Sequence, residues 1–180
     1  MAVGKRTIMR IISICFAAIM LFFVFIMLAD NVKNKSEVSG FFAMDTYMSV
    51  TVYGKNADTV INDAEKLAYY YESLFSVNVE TSDIARLNKS FGKPVKVSKE
   101  TYELIEKSIE YSKESEGLFD ITMYPVVKEW GFTAGEHNIP SDKRKEELLC
   151  RVGYQKIHLM PDYMVRLDKG CEIDLGGIAK

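Results

Sequence analysis

The stretch EIDLGGIAK, Glu172–Lys180, decides how this chain is read. Cys171–Leu175 reads as a short strand with an acidic residue at its end, and Gly176-Gly177 follows it at once, opening what reads as a helix. Glycines at such a junction let peptide groups approach a phosphate or a metal with no Cβ in the way. Strand–Gly-Gly–helix junctions are also common tight turns, so this element alone settles no function.

Upstream of it, Lys156–Met160 and Tyr163–Asp168 read as strands around Pro161-Asp162, and Lys169-Gly170 is a second turn. Ser141 can cap a charged helix that runs through Cys150. The stretch GLFDITMYPVVKEWGF, Gly117–Phe132, gathers Phe119, Tyr124, Trp130 and Phe132 around Asp120 and Thr122. Aromatics beside a polar pair suit a flat heterocycle, and taken alone they suit core packing better. Before it, Ser98 caps a helix carrying Tyr102, Ile105 and Ile109 inward, which Gly117 stops. FSVNVETSDIARLN, Phe75–Asn88, is polar and loop-like, with Ser82 opening a helical turn. Val60, Ile61, Ala64, Leu67, Ala68, Tyr71, Leu74 and Phe75 recur at helical spacing and form one apolar stripe. Phe41–Gly54 reads as a strand with Met48, Val50 and Val52 on one side. Helices and strands mix without a regular βαβ repeat, so the expected fold class is α+β.

The chain has 180 residues, 23 Lys and Arg against 25 Asp and Glu, and a net charge of −2. That length suits one domain plus an anchor. No basic stripe exists to neutralise phosphates, which excludes a nucleic-acid binder. Three cysteines exclude a disulfide scaffold, and nothing in the spacing of Cys150 and Cys171 settles whether they pair. His137 and His158 have no second His or Cys at i+3 or i+4 and read as structural. Neither GxSxG nor GxxxxGK[ST] occurs.

Ile11–Ala29 is an uncharged apolar run, about 28 Å long as a helix and close to the hydrocarbon thickness of a bilayer. Lys5, Arg6 and Arg10 precede it and Asp30 follows. The positive-inside rule then keeps residues 1–10 cytoplasmic, makes 11–29 a transmembrane signal-anchor and exports the rest. Asn31–Ser39 is polar, so residues 30–40 read as a tether before a domain at 41–180. A cleaved signal peptide is the competing reading, although Met27 is bulky where a small residue is expected. Lipidation at Cys15 is a third, with Ile14 poorly suited to precede it.

Four stretches in one order resemble the FAD:protein FMN transferase (ApbE) family. MDTYMSVTVYG, Met44–Gly54, resembles its opening Met-Gly-Thr strand. FSVNVETSDIARLN resembles the segment ending in Ser-x-x-x-x-x-Asn. GLFDITMYPVVKEWGF resembles the Gly-Ala-Phe-Asp-x-Thr…Pro-Leu…Trp-Gly-Phe block, and IDLGGIAK is similar to Leu-Asp-Leu-Gly-Gly-Ile-Ala-Lys.

The resemblance implies half of an ApbE-like α/β sandwich and a flavin site. FAD would be held by Met44, by Leu118, Phe119 and Asp120, and by Asp174 and Lys180. Mg²⁺ would sit on its pyrophosphate with the Gly177 carbonyl as one ligand. Asp45 stands where the family usually has Gly, and Asn78 where many members have a Tyr against the flavin. The implied activity moves FMN from FAD to a Thr or Ser hydroxyl of an acceptor protein in a membrane electron-transport complex, releasing AMP. FAD hydrolysis and an inactive membrane-tethered flavin-binding fragment are the alternatives. The sequence stops at Lys180 inside the last motif, so it is expected to be the N-terminal part of a transferase. The other metal ligands would then lie beyond Lys180.

Overall fold

A computed structural model describes residues 4–33, 36–132 and 137–179. They form two compact units, one of residues up to Phe42 with Thr46–Lys66, the other of Ala43–Asp45 with Leu67 onward.

The first unit opens with helix α1, Lys5–Lys33. Its Thr7–Met27 segment is long and apolar enough to cross a membrane and is not buried at all. That property belongs to a membrane anchor and to a signal sequence alike. Strands β1, Ser36–Ala43, and β2, Thr46–Tyr53, pair in a two-stranded sheet. Phe41–Gly54 is thus two strands and not one, and Ser36–Ser39, expected in the tether, lie in β1. The break falls at Met44 and Asp45, whose φ angles are 54° and 55°. Side chains rarely accept that left-handed geometry, so these residue types carry no turn signal. Helix α2, Ala57–Phe75, follows. Its stripe buries Ile61 and Phe75 but leaves Val60 and Leu67 exposed.

The second unit holds the main core. Helix α3, Asp83–Asn88, begins at Ser82, whose Oγ accepts from the Ala85 N–H at 2.9 Å. Strand β3, Val95–Lys96, leads to α4, Lys99–Glu114, capped by the Ser98 hydroxyl on the Thr101 N–H. A 3₁₀ turn, Ile121–Met123, precedes α5, Tyr124–Glu129, and α6, Asp142–Leu149. A second 3₁₀ turn, Tyr154–Lys156, leads into β4, Ile157–Met160, and β5, Met164–Leu167. The sheet order is β3-β5-β4, antiparallel throughout, with Ile157 opposite Leu167 and Val95 opposite Val165. The α+β class is therefore the one observed. Val165 and Leu167 turn inward with Ile84, Leu87, Ile105, Ile173 and Leu175, all essentially inaccessible to water. Burial of each such side chain stabilises the fold by about 1.5–3 kcal/mol.

Cys171–Leu175, expected to be a strand, alternates in burial but is not a strand of any sheet among the described residues. Its backbone is satisfied differently. The Asn88 side chain donates Nδ2–H to the Ile173 carbonyl and accepts the Ile173 N–H on Oδ1, each at 2.8 Å. One amide side chain stands in for a neighbouring strand. The Asp174 N–H donates to the Ile121 carbonyl at 2.9 Å.

Among the described residues, Asp83 is the one buried carboxylate. It accepts from the Ser98 N–H and the Thr101 hydroxyl, each at 2.7 Å, and pairs with Arg86. Burial pushes its pKa up, but the bonds from Ser98, Thr101 and Arg86 outweigh that, and it lies below the ordinary aspartate value. Ionisation therefore stabilises the fold above the unfolded-state pKa of about 3.9, and this contribution is lost as pH falls through the lower folded value.

Asn88→Ala should cost about 1–3 kcal/mol for each of the two peptide groups it orphans, read by urea unfolding. Asn88→Asp, which keeps the acceptor but not the donor, should fall between wild type and Ala. Asp83→Asn should cost about 2–3 kcal/mol at pH 7. Its unfolding midpoint should also decline less than that of the wild type between about pH 5 and 3, the window in which the wild-type carboxylate loses its contribution.

Candidate flavin site

The Gly-Gly turn is built against its own neighbours. The Gly176 N–H donates to Asp174 Oδ1 at 2.9 Å, and the Ile178 and Ala179 N–H groups donate to the Leu175 carbonyl. A Cβ on Gly176 would lie 3.3 Å from Asp174 Oδ1, and one on Gly177 would lie 3.4 Å from the Phe119 ring. Neither glycine has a positive φ. A Cβ at Gly177 would therefore make an ordinary contact with the ring, while one at Gly176 would press slightly on the Asp174 carboxylate. The expected helix is a single turn over the described residues, with Lys180 lying outside them.

On one side of this turn is a hollow of about 160 Å³ lined by Met44, Asp45, Glu72, Phe75, Asp174 and Gly176, among others. Small-molecule pockets are typically about 300–1,000 Å³, so this hollow walls part of a dinucleotide at most. Its rim is held by two contacts: the Met44 N–H donates to Glu72 Oε1 at 3.2 Å, and Asn78 Nδ2 donates to Asp45 Oδ2 at 3.3 Å. The two positions that depart from the family pattern, Asp45 and Asn78, are thus bonded to each other. On the other side is a shallower hollow lined by Tyr111, Glu114, Ser115, Phe119, Gly177 and Ile178.

The sequence-derived residues sort accordingly. Met44 and Asp174 share the first hollow, with Asn78 at its rim through Asp45. Phe119 and Gly177 share the second. Leu118 is 93% exposed and lines neither.

Asp120 is committed internally. Its Oδ1 accepts from the Thr122 N–H and hydroxyl at 2.8 and 2.6 Å, and its Oδ2 accepts from the Tyr154 N–H at 2.8 Å. Thr122 Oγ1 in turn accepts from the Gly153 N–H at 2.7 Å. This knot fixes the loop between Phe119 and Ile121, and Ile121 in turn holds Asp174. Trp130 and Phe132 stack on each other with centroids 6.1 Å apart, so they do not flank a hollow for a heterocycle.

Sequence reasoning passes over Glu72 and gives no role to Asn88. Asn88 has a signal, as the last letter of the Ser-x-x-x-x-x-Asn segment. Glu72 has none, being one acidic residue on an amphipathic helix.

Cys150 is exposed and Cys171 buried, both with free thiols, and burial pushes the Cys171 pKa up to about 12. His158 has a structural place, with Nε2 2.8 Å from Asp168 Oδ1 across the β4–β5 hairpin. Among the described residues no three His, Cys, Asp or Glu side chains converge on a point that could hold a metal. The oxygens available beside the turn are hard donors, the Asp174 carboxylate and the Gly177 carbonyl. That is the type Mg²⁺ takes, usually one or two from protein with the rest from phosphate and water.

Known proteins fit this geometry. Residues 44–180 match the sequence pattern of the ApbE family. The chain is 28% identical over 147 residues to the FAD:protein FMN transferase of Treponema pallidum, covering 75% of this chain and 41% of that one. It is 30% identical over 160 residues to the FAD:protein FMN transferase of Buchnera aphidicola, covering 83% and 46%. The crystal structure of the ApbE protein from Thermotoga maritima superposes with a TM-score of 0.77 at 28% identity, over 81% of this chain and 48% of that one. The flavin transferase ApbE from Vibrio cholerae, 20% identical, shares the fold at a TM-score of 0.74 over 81% of this chain and 50% of that one. The chain spans less than half the length of these two curated relatives. Four sequence blocks, the fold of solved members and a family match that starts at the strained Met44 turn agree: the chain belongs to the ApbE family.

Proposed function

We propose that this chain supplies the flavin-binding part of a membrane-anchored FAD:protein FMN transferase. The single observation that supports it best is the site around the Gly-Gly turn. Asp174 and Met44 share one hollow, and the turn's backbone is fixed by Asp174 itself. FAD is held by Met44, Phe119 and Asp174, with Leu118, Asn78 and Lys180 completing the contacts. Asp120 acts as a positioning residue, because both its oxygens hold the chain beside Phe119.

In the reaction, the hydroxyl oxygen of an acceptor Thr or Ser attacks the phosphorus on the FMN side of the diphosphate. The bond from that phosphorus to the bridging oxygen breaks. AMP leaves with the bridging oxygen, the hydroxyl proton is lost, and FMN stays on the acceptor as a phosphoester. The Gly177 carbonyl, with Asp174 beside the same turn, would hold Mg²⁺, and the ion would supply neutralisation of diphosphate charge. Asp174 keeps the turn in register by accepting the Gly176 N–H. The acceptor is a subunit of a membrane electron-transport complex facing the extracytoplasmic side, the side to which α1 as an anchor delivers the domain.

AMP release and flavin fluorescence on a Thr-containing acceptor peptide test this reading in the full chain. In a chain of the relatives' full length, AMP that appears only with the acceptor, with fluorescent peptide, is the expected result, whereas residues 1–180 by themselves are expected to bind FAD without turnover. AMP released equally without acceptor identifies water as the nucleophile and replaces transfer by hydrolysis. Bound FAD with no AMP under either condition reduces the chain to a flavin-binding one. A second outcome concerns the metal. Titration calorimetry should show tighter FAD binding with Mg²⁺ than without, and Asp174→Asn should shrink that difference about 10–100-fold, the usual effect of losing a group that orients a metal ligand.

A further inference from the structure

A bulky side chain is held where the fold gains nothing from it. In the turn Ser90–Lys93 the Lys93 N–H donates to the Ser90 carbonyl at 3.1 Å, and Phe91 and Gly92 have φ of 53° and 87°. Two positive φ angles make this the turn type that prefers Asn-Gly, so Phe at the first position carries a steric cost. Met44, also at positive φ, lines the hollow. Tyr163, another, is compensated by an edge-on contact with Tyr102 at 5.5 Å and by its carbonyl accepting from the Val97 N–H at 3.0 Å. Phe91 has no ring contact among the described residues and is 81% exposed. Burial among the described residues therefore does not explain it.

The surroundings of Phe91 carry positive charge. A Cβ on Gly92 would lie 3.7 Å from the Lys169 backbone nitrogen, so the turn at Asp168–Cys171 abuts this one. In that second turn, Gly170 faces the Arg151 side chain, whose Cδ would be 3.6 Å from its Cβ. Lys93, Lys169 and Arg151 are exposed and make no salt bridge among the described residues. Of the acids near these cations, Asp168 is paired with His158 and Arg166, and Glu129, which feels the charge of Arg151, is paired with Arg144 at 2.9 Å. The result is an exposed aromatic tip accompanied by cations that make no salt bridge among the described residues.

We infer that the Ser90–Lys93 turn docks on an anionic phospholipid surface, with the Phe91 ring entering the headgroup boundary and Lys93, Lys169 and Arg151 meeting phosphates. Aromatic rings favour that boundary, and basic side chains are drawn to anionic headgroups in whichever leaflet carries them, the extracytoplasmic one in the orientation proposed above. The occupant is chosen by charge and by the chain's own α1, long and apolar enough to hold the domain at a bilayer. The inference rests on reading α1 as an anchor, and the test separates the two.

The full chain carrying Phe91→Trp is reconstituted into vesicles with brominated lipids, either phosphatidylcholine alone or with phosphatidylglycerol. The wild-type chain, whose one tryptophan is Trp130, gives the baseline. The expected result is blue-shifted, bromine-quenched emission from the introduced indole in anionic vesicles, lost at high salt. Lys93→Gln and Lys169→Gln should each reduce the docked population about fivefold. Carbonate extraction reports α1 separately. A chain that stays in the vesicles while the introduced indole remains water-like and unquenched overturns the docking and leaves the anchor standing. A chain washed out but quenched beforehand supports docking and ends the anchor reading, and one washed out and unquenched ends both. Phe91→Gly provides a check that needs no membrane. Its urea midpoint should rise, and a fall would show that the ring serves the fold and would overturn the inference.

Discussion

The two hydrogen bonds between the Asn88 side chain and the Ile173 peptide carry the geometry of this site. Ile173 lies in the middle of an extended segment with no sheet partner among the described residues, deep among Ile84, Leu87, Val165 and Leu167. A buried peptide group without a partner costs about 1–3 kcal/mol, so an unpaired strand there would expel itself from the core. Asn88 satisfies both groups of one residue at once. It can do so because α3 ends there, held at its start by Ser82 and by the Asp83 network. The short helix and its caps are therefore a bracket, and the bracketed segment delivers Asp174 to the hollow.

A second bracket acts one residue later. The Asp174 N–H bonds the Ile121 carbonyl, and Ile121 is fixed by the knot of Asp120, Thr122, Gly153 and Tyr154. The carboxylate of Asp174 is thus positioned by its backbone from two directions before its side chain does anything. Its Oδ1 then sets the Gly176 N–H, and so the turn. Such layered support is what a site requires if its oxygens are to stay within a fraction of an ångström of a ligand. It also explains why Asp120 supports the site without facing either hollow.

Much of this is legible in sequence, and the remainder is hidden for identifiable reasons. Ser82, Ser98 and Ser141 each stand one residue before a helix and cap it, because capping is a local event between a hydroxyl and an N–H three residues on. Cys171–Leu175 reads as a strand, but the partner of its central peptide is an amide side chain. Periodicity reports which side chains are buried, not whether a strand or an amide satisfies the backbone. The α2 stripe misleads in a related way, since it names a face that seeks burial while Val60 and Leu67 stay exposed among the described residues. Asp120 reads as a ligand residue because an acidic side chain among aromatics looks the same whether it faces a ligand or a loop.

The hidden turn at Met44-Asp45 shows how strain and site coincide. Two L-residues at positive φ cost on the order of 1–2 kcal/mol each, and Asn-Gly there would avoid most of it. The fold offsets the cost with two contacts that also shape the hollow: Glu72 takes the Met44 N–H, and Asn78 bonds the Asp45 carboxylate. Relaxed turn residues would need neither contact, and the hollow would lose the thioether and carboxylate that line it. A wall built from strained residues and held by neighbours is already in place before a ligand arrives, so ordering it adds nothing to the cost of binding. The hollow encloses about 160 Å³, against the ~300–1,000 Å³ usual for small-molecule sites. A preformed corner of that size fixes one part of a long ligand firmly and leaves the rest to surfaces beyond it.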